Sequence, residues 1–198
     1  MKKDKDQRFI KTEKAIREAF FSLISQVGFN KLHVRDIINQ SKINRTTFYA
    51  HYTDKYALLN KLEDDLLVEM REVAEQGSAD LLLKSQIADV DRVVLYAHDS
   101  VKYIRAHAAT YTLLMSDKGD PAFAQKLQDS ISQVWQDKDL FKELTIPQDY
   151  AISAVTGMVI SLMQTWVKND YRETPDDFVQ IVIKVIRGIS LYTLAQKS

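Results

Sequence analysis

From Thr12 onward the apolar residues of this chain recur at intervals of three and four: Ile16, Ala19, Phe20, Leu23, Ile24, Val27. Residues at that spacing share one face of an α-helix, whose period is about 3.6 residues, and a continuous apolar face has to be buried. The period returns at Leu58, Leu59, Leu62, Leu66 and Met70, again at Val93, Val94, Ala97, Val101 and Ile104, and again at Phe123, Leu127, Ile131, Val134 and Trp135. Glycine and proline, which mark turns, number only 5 and 3 in 198 residues. That is too few for an all-β sandwich or a glycine-rich nucleotide-binding fold. The expected fold class is all-α.

Local signals divide these helices. Gly28 stands where a left-handed C-cap belongs. Val34, Ile37 and Ile38 fit a short second helix, and Asn44 is a good N-cap for a short third one. Thr53 or Asp54 caps the longer helix that follows. Gln76 to Asp80 reads as a linker, and Val90 to Ala106 as a helix. Asp117 to Pro121 reads as a turn with Pro121 at the first helical position after it. Thr145-Ile146-Pro147 breaks the pattern again. Met1 to Arg8 is charged and has no apolar core behind it, so it reads as a mobile basic arm rather than a signal peptide. The expected organisation is an arm and three-helix head over 1–52, a connecting helix over 53–75 and a helical domain over 76–198.

The last two helices are unlike the rest. Ala151 to Val167 contains no charged residue, and Phe178 to Ala195 contains only Lys184 and Arg187. Helices apolar around most of their girth need cover on more than one side. A second copy of the chain supplies it if residues of about 150–168 and 176–195 pair as a four-helix bundle. An intramolecular core is the alternative. No run of 18 apolar residues occurs, so no membrane partner is expected.

The chain carries 27 Lys and Arg against 27 Asp and Glu, a net of zero. Residues 1–60 hold 12 basic and 6 acidic residues, and residues 61–198 hold 15 and 21, so a basic head balances an acidic body. Such a head attracts polyanions. The absence of cysteine excludes disulfides, thiolate metal sites and a cysteine nucleophile, and fits a cytoplasmic location. Outside the head the histidines are His98 and His107, nine residues apart and so not on one tight helix face. Asp89 and Asp91 sit near a helix start, where carboxylates cap. No nucleophile elbow or phosphate loop occurs. No enzyme, catalytic residue, metal or cofactor is expected.

Val34 to Tyr49 reads VRDIINQSKINRTTFY, a short helix, a tight turn and a second short helix. Ile37, Ile38 and Ile43 support the second helix from behind. It presents Asn44, Arg45, Thr46, Thr47, Tyr49 and His51, a surface without a carboxylate. Arginine forks onto guanine, and threonine offers a hydroxyl or a methyl to bases. Tyr49, Tyr52, Thr46 or Thr47, and Lys55 can reach phosphates, as can the amides at Thr53 to Lys55. Arg35 on the first short helix is a further candidate.

The segment KAIREAFFSLISQVGFNKLHVRDIINQSKINRTTFYAHYTDKYALL resembles the DNA-binding domain of the tetracycline-repressor (TetR) family, over about Ile10 to Leu66. The resemblance implies a three-helix DNA-binding head, a long connecting helix, an all-helical ligand or dimer domain, and a homodimer on double-stranded operator DNA. Asn44 to Tyr49 match the recognition helix, and Tyr49, Tyr52 and Lys55 match usual phosphate contacts. Tyr111 to Asp117, Gly119-Asp120-Pro121 with Phe123, and Trp166 to Pro175 are more loosely similar to a subgroup that holds repressors and also coactivators like the regulator of dihydroxyacetone kinase operons. Two positions depart from the family pattern. His33 replaces a threonine N-cap, which frays the second helix by up to about 1 kcal/mol. Lys42 replaces a turn glycine, so a positive φ is expected there at a cost of about 1 kcal/mol.

The expected function is that of a sequence-specific regulator, most simply a repressor, whose DNA affinity an effector sets. Tyr96, Tyr103, Tyr111, Met115, Trp135, Met158, Met163 and Trp166 are the candidate lining of an adaptable pocket for a small apolar or aromatic effector. The alternative is a coactivator or adaptor that binds DNA and a partner protein without a pocket.

Overall fold

The computed structural model describes the backbone of residues 2–82, 89–141 and 146–194, and the side chains of 7–75, 97–141 and 146–188. Among the described residues there are nine helices and no strand: α1 (Lys2–Val27), α2 (Val34–Ser41), α3 (Arg45–His51), α4 (Lys55–Leu82), α5 (Asp89–Ala106), α6 (Ala108–Leu114), α7 (Phe123–Asp137), α8 (Gln148–Lys168) and α9 (Pro175–Leu194). The fold is all-α, as the spacing of apolar residues requires. Two compact units divide it. One gathers the residues up to Leu66 with Leu113–Phe123, and the other gathers Leu67–Thr112 with the residues from Ala124 on.

The first unit is built around the apolar stripe of α1. Ile16, Phe20 and Ile24 are fully buried, together with Leu32, Ile37 of α2, Phe48 of α3 and Leu58 of α4. The turns between these helices close by local chemistry. Gly28 takes φ +78 and its N–H donates to Ile24 O at 2.9 Å, ending α1. Lys42 takes φ 55, the left-handed conformation expected of it, and its N–H donates to Asn39 O at 3.3 Å. Asn44 caps α3 by accepting the Thr47 N–H at 2.7 Å. Asp54 caps α4 by accepting the Ala57 N–H at 2.8 Å. His33 makes no side-chain cap, but Asp36 accepts the His33 N–H at 3.1 Å, and α2 starts at Val34.

Three expectations are corrected. Lys2 to Arg8 is not an irregular arm: α1 is helical from Lys2, in a stretch with neither glycine nor proline to break it, and Met1 lies outside the described residues. Gln76 to Asp80 is not a linker, because α4 continues through it to Leu82. One glycine costs about 1 kcal/mol in a helix interior, too little to stop a helix already growing from Lys55. Asp120 to Phe123 is a turn, closed by the Phe123 N–H on Asp120 O at 3.0 Å, so α7 starts at Phe123 and not at Pro121.

In the second unit α5 packs along α9, and α9 along α8. The Trp166 indole stacks on Phe178, with centroids 4.4 Å apart, and its N–H donates to Glu173 O at 3.0 Å. These contacts close the α8–α9 turn. One face of α8 is buried through Ala151, Ile152, Thr156, Ile160, Met163, Trp166 and Val167. The other carries Ser153, Ala154, Ser161, Gln164 and Thr165, exposed and uncharged. α8 is long and apolar enough to cross a bilayer by length and composition alone, but its apolar face belongs to the core of this unit.

Candidate nucleic-acid interface

A helix repeats its direction roughly every four residues, and α3 uses this to form three rows. Arg45 and Tyr49 make one flank, Thr46 and Ala50 the crest, and Thr47 and His51 the other flank. A groove runs along each flank. One is lined by His33, Val34, Arg35, Ile38, Asn39, Arg45 and Tyr49. The other is lined by Arg8, Phe9, Thr12, Asn44, Thr46, Thr47, Ala50 and His51. No carboxylate lines either groove. Tyr49 is 44% exposed, and the Arg45 guanidinium lies 5.4 Å from its ring centre. Arg35, Asn44, Arg45 and Thr46 are exposed, and Thr47 is half-buried.

Tyr52 and Lys55 occupy different surroundings. Tyr52 is buried, and its hydroxyl donates to Glu13 Oε1 at 3.1 Å. Burial, with the adjoining Glu13 charge, pushes Tyr52 up to about 12 against the pull of Arg17. Arg17 bridges Glu13 at 2.6 Å and Asp65 at 2.5 Å, and Lys61 reaches Asp65 at 2.7 Å. Burial raises the Glu13 and Asp65 carboxyls, but these cations outweigh it and hold both below their ordinary values. The network ties α1 and the end of α3 to α4. Lys55 points its ammonium at the loop after α1, donating to Phe29 O at 2.9 Å, Asn30 O at 3.3 Å and Leu32 O at 2.9 Å. Its charge lies 4.6 Å from the Phe29 ring centre, and burial lowers its pKa. Of the amides at the start of α4, the Ala57 N–H is already taken by Asp54.

His51 stacks on Phe9, with ring centres 3.8 Å apart and planes at 18°. Its Nδ1 is buried without a hydrogen-bond partner. Burial lowers its pKa against the opposing charge of Glu13. Arg8, Phe9, Thr12 and Ala50 were not among the residues expected at this surface. Ala50 was within reach, since it lies four residues after Thr46. Arg8 and Phe9 precede Thr12, where no apolar period marks a helix, and Thr12 shows its place only in the fold.

A third concavity, of about 70 Å³, lies within the second unit among α4, α5, α7, α8 and α9. Of the eight expected lining residues, Trp135 and Met163 line it. Tyr103 donates its hydroxyl to Glu69 Oε2 at 2.7 Å, and Tyr111 donates to Met70 Sδ at 3.7 Å. Trp166 is held in the α8–α9 turn, Met115 belongs to the first unit, and Met158 is half-buried on α8 outside the lining. The side chain of Tyr96 lies outside the described residues. The apolar lining instead comes from Met70, Ala74, Val101, Ile104, Val159, Phe178 and Val182, with Arg71, Glu75 and Ser100 as polar members. Among the described residues no group of three acidic or histidine side chains could hold a metal ion.

Residues 16–62 match the family model described as bacterial regulatory proteins, tetR family, and residues 96–188 match the one described as transcriptional regulator C-terminal region. The chain belongs to the TetR family of transcriptional regulators. A crystal structure of a TetR transcriptional regulator from Streptococcus agalactiae superposes with a TM-score of 0.69 at 25% identity, over 94% of this chain and 99% of that one. The dihydroxyacetone kinase operon activator DhaS shares the fold, with a TM-score of 0.59 at 13% identity over 89% of this chain and 94% of that one. The uncharacterized HTH-type transcriptional regulator YxbF of Bacillus subtilis strain 168 is 32% identical over 104 residues. Those residues are 52% of this chain and only 26% of that protein, so the chain spans about a quarter of that relative. Members of the TetR family are transcriptional regulators rather than enzymes, bind operator DNA and typically form homodimers.

Proposed function

We propose that this TetR-family protein is a homodimeric, cytoplasmic repressor that reads an operator half-site with α3 of each protomer. The observation that carries the reading is the exposed α3 ridge with a carboxylate-free groove on each flank. Thr46 and Ala50 on the crest face base edges, where the Ala50 methyl suits a thymine methyl and Thr46 offers a hydroxyl. Arg45 forks onto guanine or an adjacent phosphate, with Thr47 beside the bases. Tyr49, Arg35 and the Asn44 amide reach phosphates, which set register without reading sequence. His51, Tyr52 and Lys55 serve this surface mainly by holding α3, through Phe9, Glu13 and the Phe29–Leu32 loop.

Two half-sites need two heads at a fixed distance. The uncharged outer face of α8 and the outer face of α9 pair with their copies to set it. An effector changes affinity only as far as it prefers one head spacing. The 70 Å³ cavity admits a small apolar or aromatic molecule of few atoms, well below the roughly 300–1,000 Å³ of a drug-sized ligand site. That small volume favours a second reading, in which the protein is a coactivator or adaptor and a partner protein takes the place of the effector.

The test is competition between duplexes of selected and random sequence. Arg45→Ala should erase most of the preference for the selected sequence, and Tyr49→Ala should weaken both complexes by a similar factor. Unchanged preference in Arg45→Ala together with unchanged affinity in Tyr49→Ala defeats the reading.

A further inference from the structure

We propose that the groove between the first turns of α1 and the Thr47–His51 flank of α3 seats a DNA phosphate, with Arg8 as its countercharge. The inference rests on α3 being the recognition helix. A helix in the major groove, about 12 Å wide, has a sugar-phosphate backbone on each side. On the α2 side Arg35 and Arg45 supply positive charge. On the α1 side α3 and its cap offer the Asn44 amide, the Thr46 and Thr47 hydroxyls and the buried edge of His51, none of them a cation, since burial lowers the His51 pKa and leaves the ring neutral at neutral pH. Arg8 is the one cation among the residues that line this groove, which is open and encloses about 350 Å³.

Arg8 is placed there for a structural reason. It lies on regular helix, and Phe9 beside it stacks on His51 at 3.8 Å, pinning the front of α1 against α3. The Thr12 hydroxyl donates back to Arg8 O at 2.9 Å and is spent within the helix. Glu13, the nearest described carboxylate along α1, is turned to Arg17 and Tyr52. Among the described residues no ion pair neutralises Arg8, so its charge faces the groove and solvent. The phosphate fits between the Arg8 guanidinium and the Thr47 hydroxyl, with the Phe9–His51 stack as one wall.

The full-length protein is titrated with a duplex carrying the site selected from random DNA, and with a random-sequence duplex, across a salt series. Arg8→Ala should weaken both complexes by a similar factor. Each phosphate contact contributes about 0.9 to the slope of log affinity against log salt, so the slope should fall by about 0.9 per protomer and about 1.8 per dimer. Arg8→Lys should restore the slope, and Phe9→Ala should reduce it as Arg8→Ala does. If Arg8→Ala leaves slope and affinity unchanged while Arg45→Ala abolishes sequence preference, the phosphate site is overturned and the recognition helix stands. If neither variant alters binding, both are overturned.

Discussion

Lys42 holds a backbone conformation, φ 55, that costs a side-chain-bearing residue about 1 kcal/mol relative to a permissive one. Its conformation closes the turn between α2 and α3 and so sets how α3 projects. Lys42→Gly should therefore raise thermal stability, by several tenths to about 1 kcal/mol after the extra freedom glycine gives the unfolded chain. A lower melting temperature in the variant rejects the strain. His51 makes a second residue-scale prediction. Its folded pKa is depressed by burial, so folding favours the neutral ring and the unfolded chain binds more protons. That stability is present above its ordinary value of 6.5 and is lost as pH falls below it. Glu13 and Asp65 are also depressed, and their contribution is present above 4.5 and 3.8 and is lost below those values. Melting temperature should fall in two stages on acidification, and Phe9→Ala, which exposes His51, should remove the first. A single acidic stage in the unaltered protein rules out the His51 contribution.

At the scale of elements, α2 and α3 were legible in the sequence because their signals are local. Asn44 caps α3 by a bond three residues long, and Ile37 and Phe48 lie on the faces their spacing assigns. The length of α4 was not legible, since Gly77 and Ser78 look like punctuation and only the growing helix overrides them. α6 and its break from α5 at His107 were equally hidden, because both sides of the break are helical. The exposure of Tyr49 is readable from helix spacing alone. The partners that Tyr52 and Lys55 find within the chain are not readable, since Glu13 and the Phe29–Leu32 carbonyls are far off in sequence. Lys55→Met decides between the two roles for that lysine. It keeps the apolar stem over Phe29 but removes the donor to these carbonyls, which should cost about 1–2 kcal/mol of stability. If Lys55 positions the loop, DNA affinity falls with the salt slope unchanged. If it contacts phosphate, the slope falls by about 0.9 per protomer.

At the scale of the whole molecule, the zero net charge conceals a basic first 60 residues and an acidic remainder. The part proposed to meet DNA attracts it, and the part proposed to meet another copy does not. The outer face of α8 joins Ser153, Ala154 and Ser161 with half-buried Gly157, small residues that let two helices approach closely. Ser161→Arg places an uncompensated charge on that face. It should yield a monomer by light scattering and reduce operator binding toward the level of random DNA. A stable dimer with Ser161→Arg would move the interface elsewhere. Two α3 helices, held by a dimer, are proposed to read two half-sites, and selection of bound fragments from a random DNA pool shows whether they do. Recovered fragments should share an inverted repeat with half-site centres a whole number of DNA turns apart, each turn about 34–36 Å. Recovery of no common sequence would rule out half-site reading by α3.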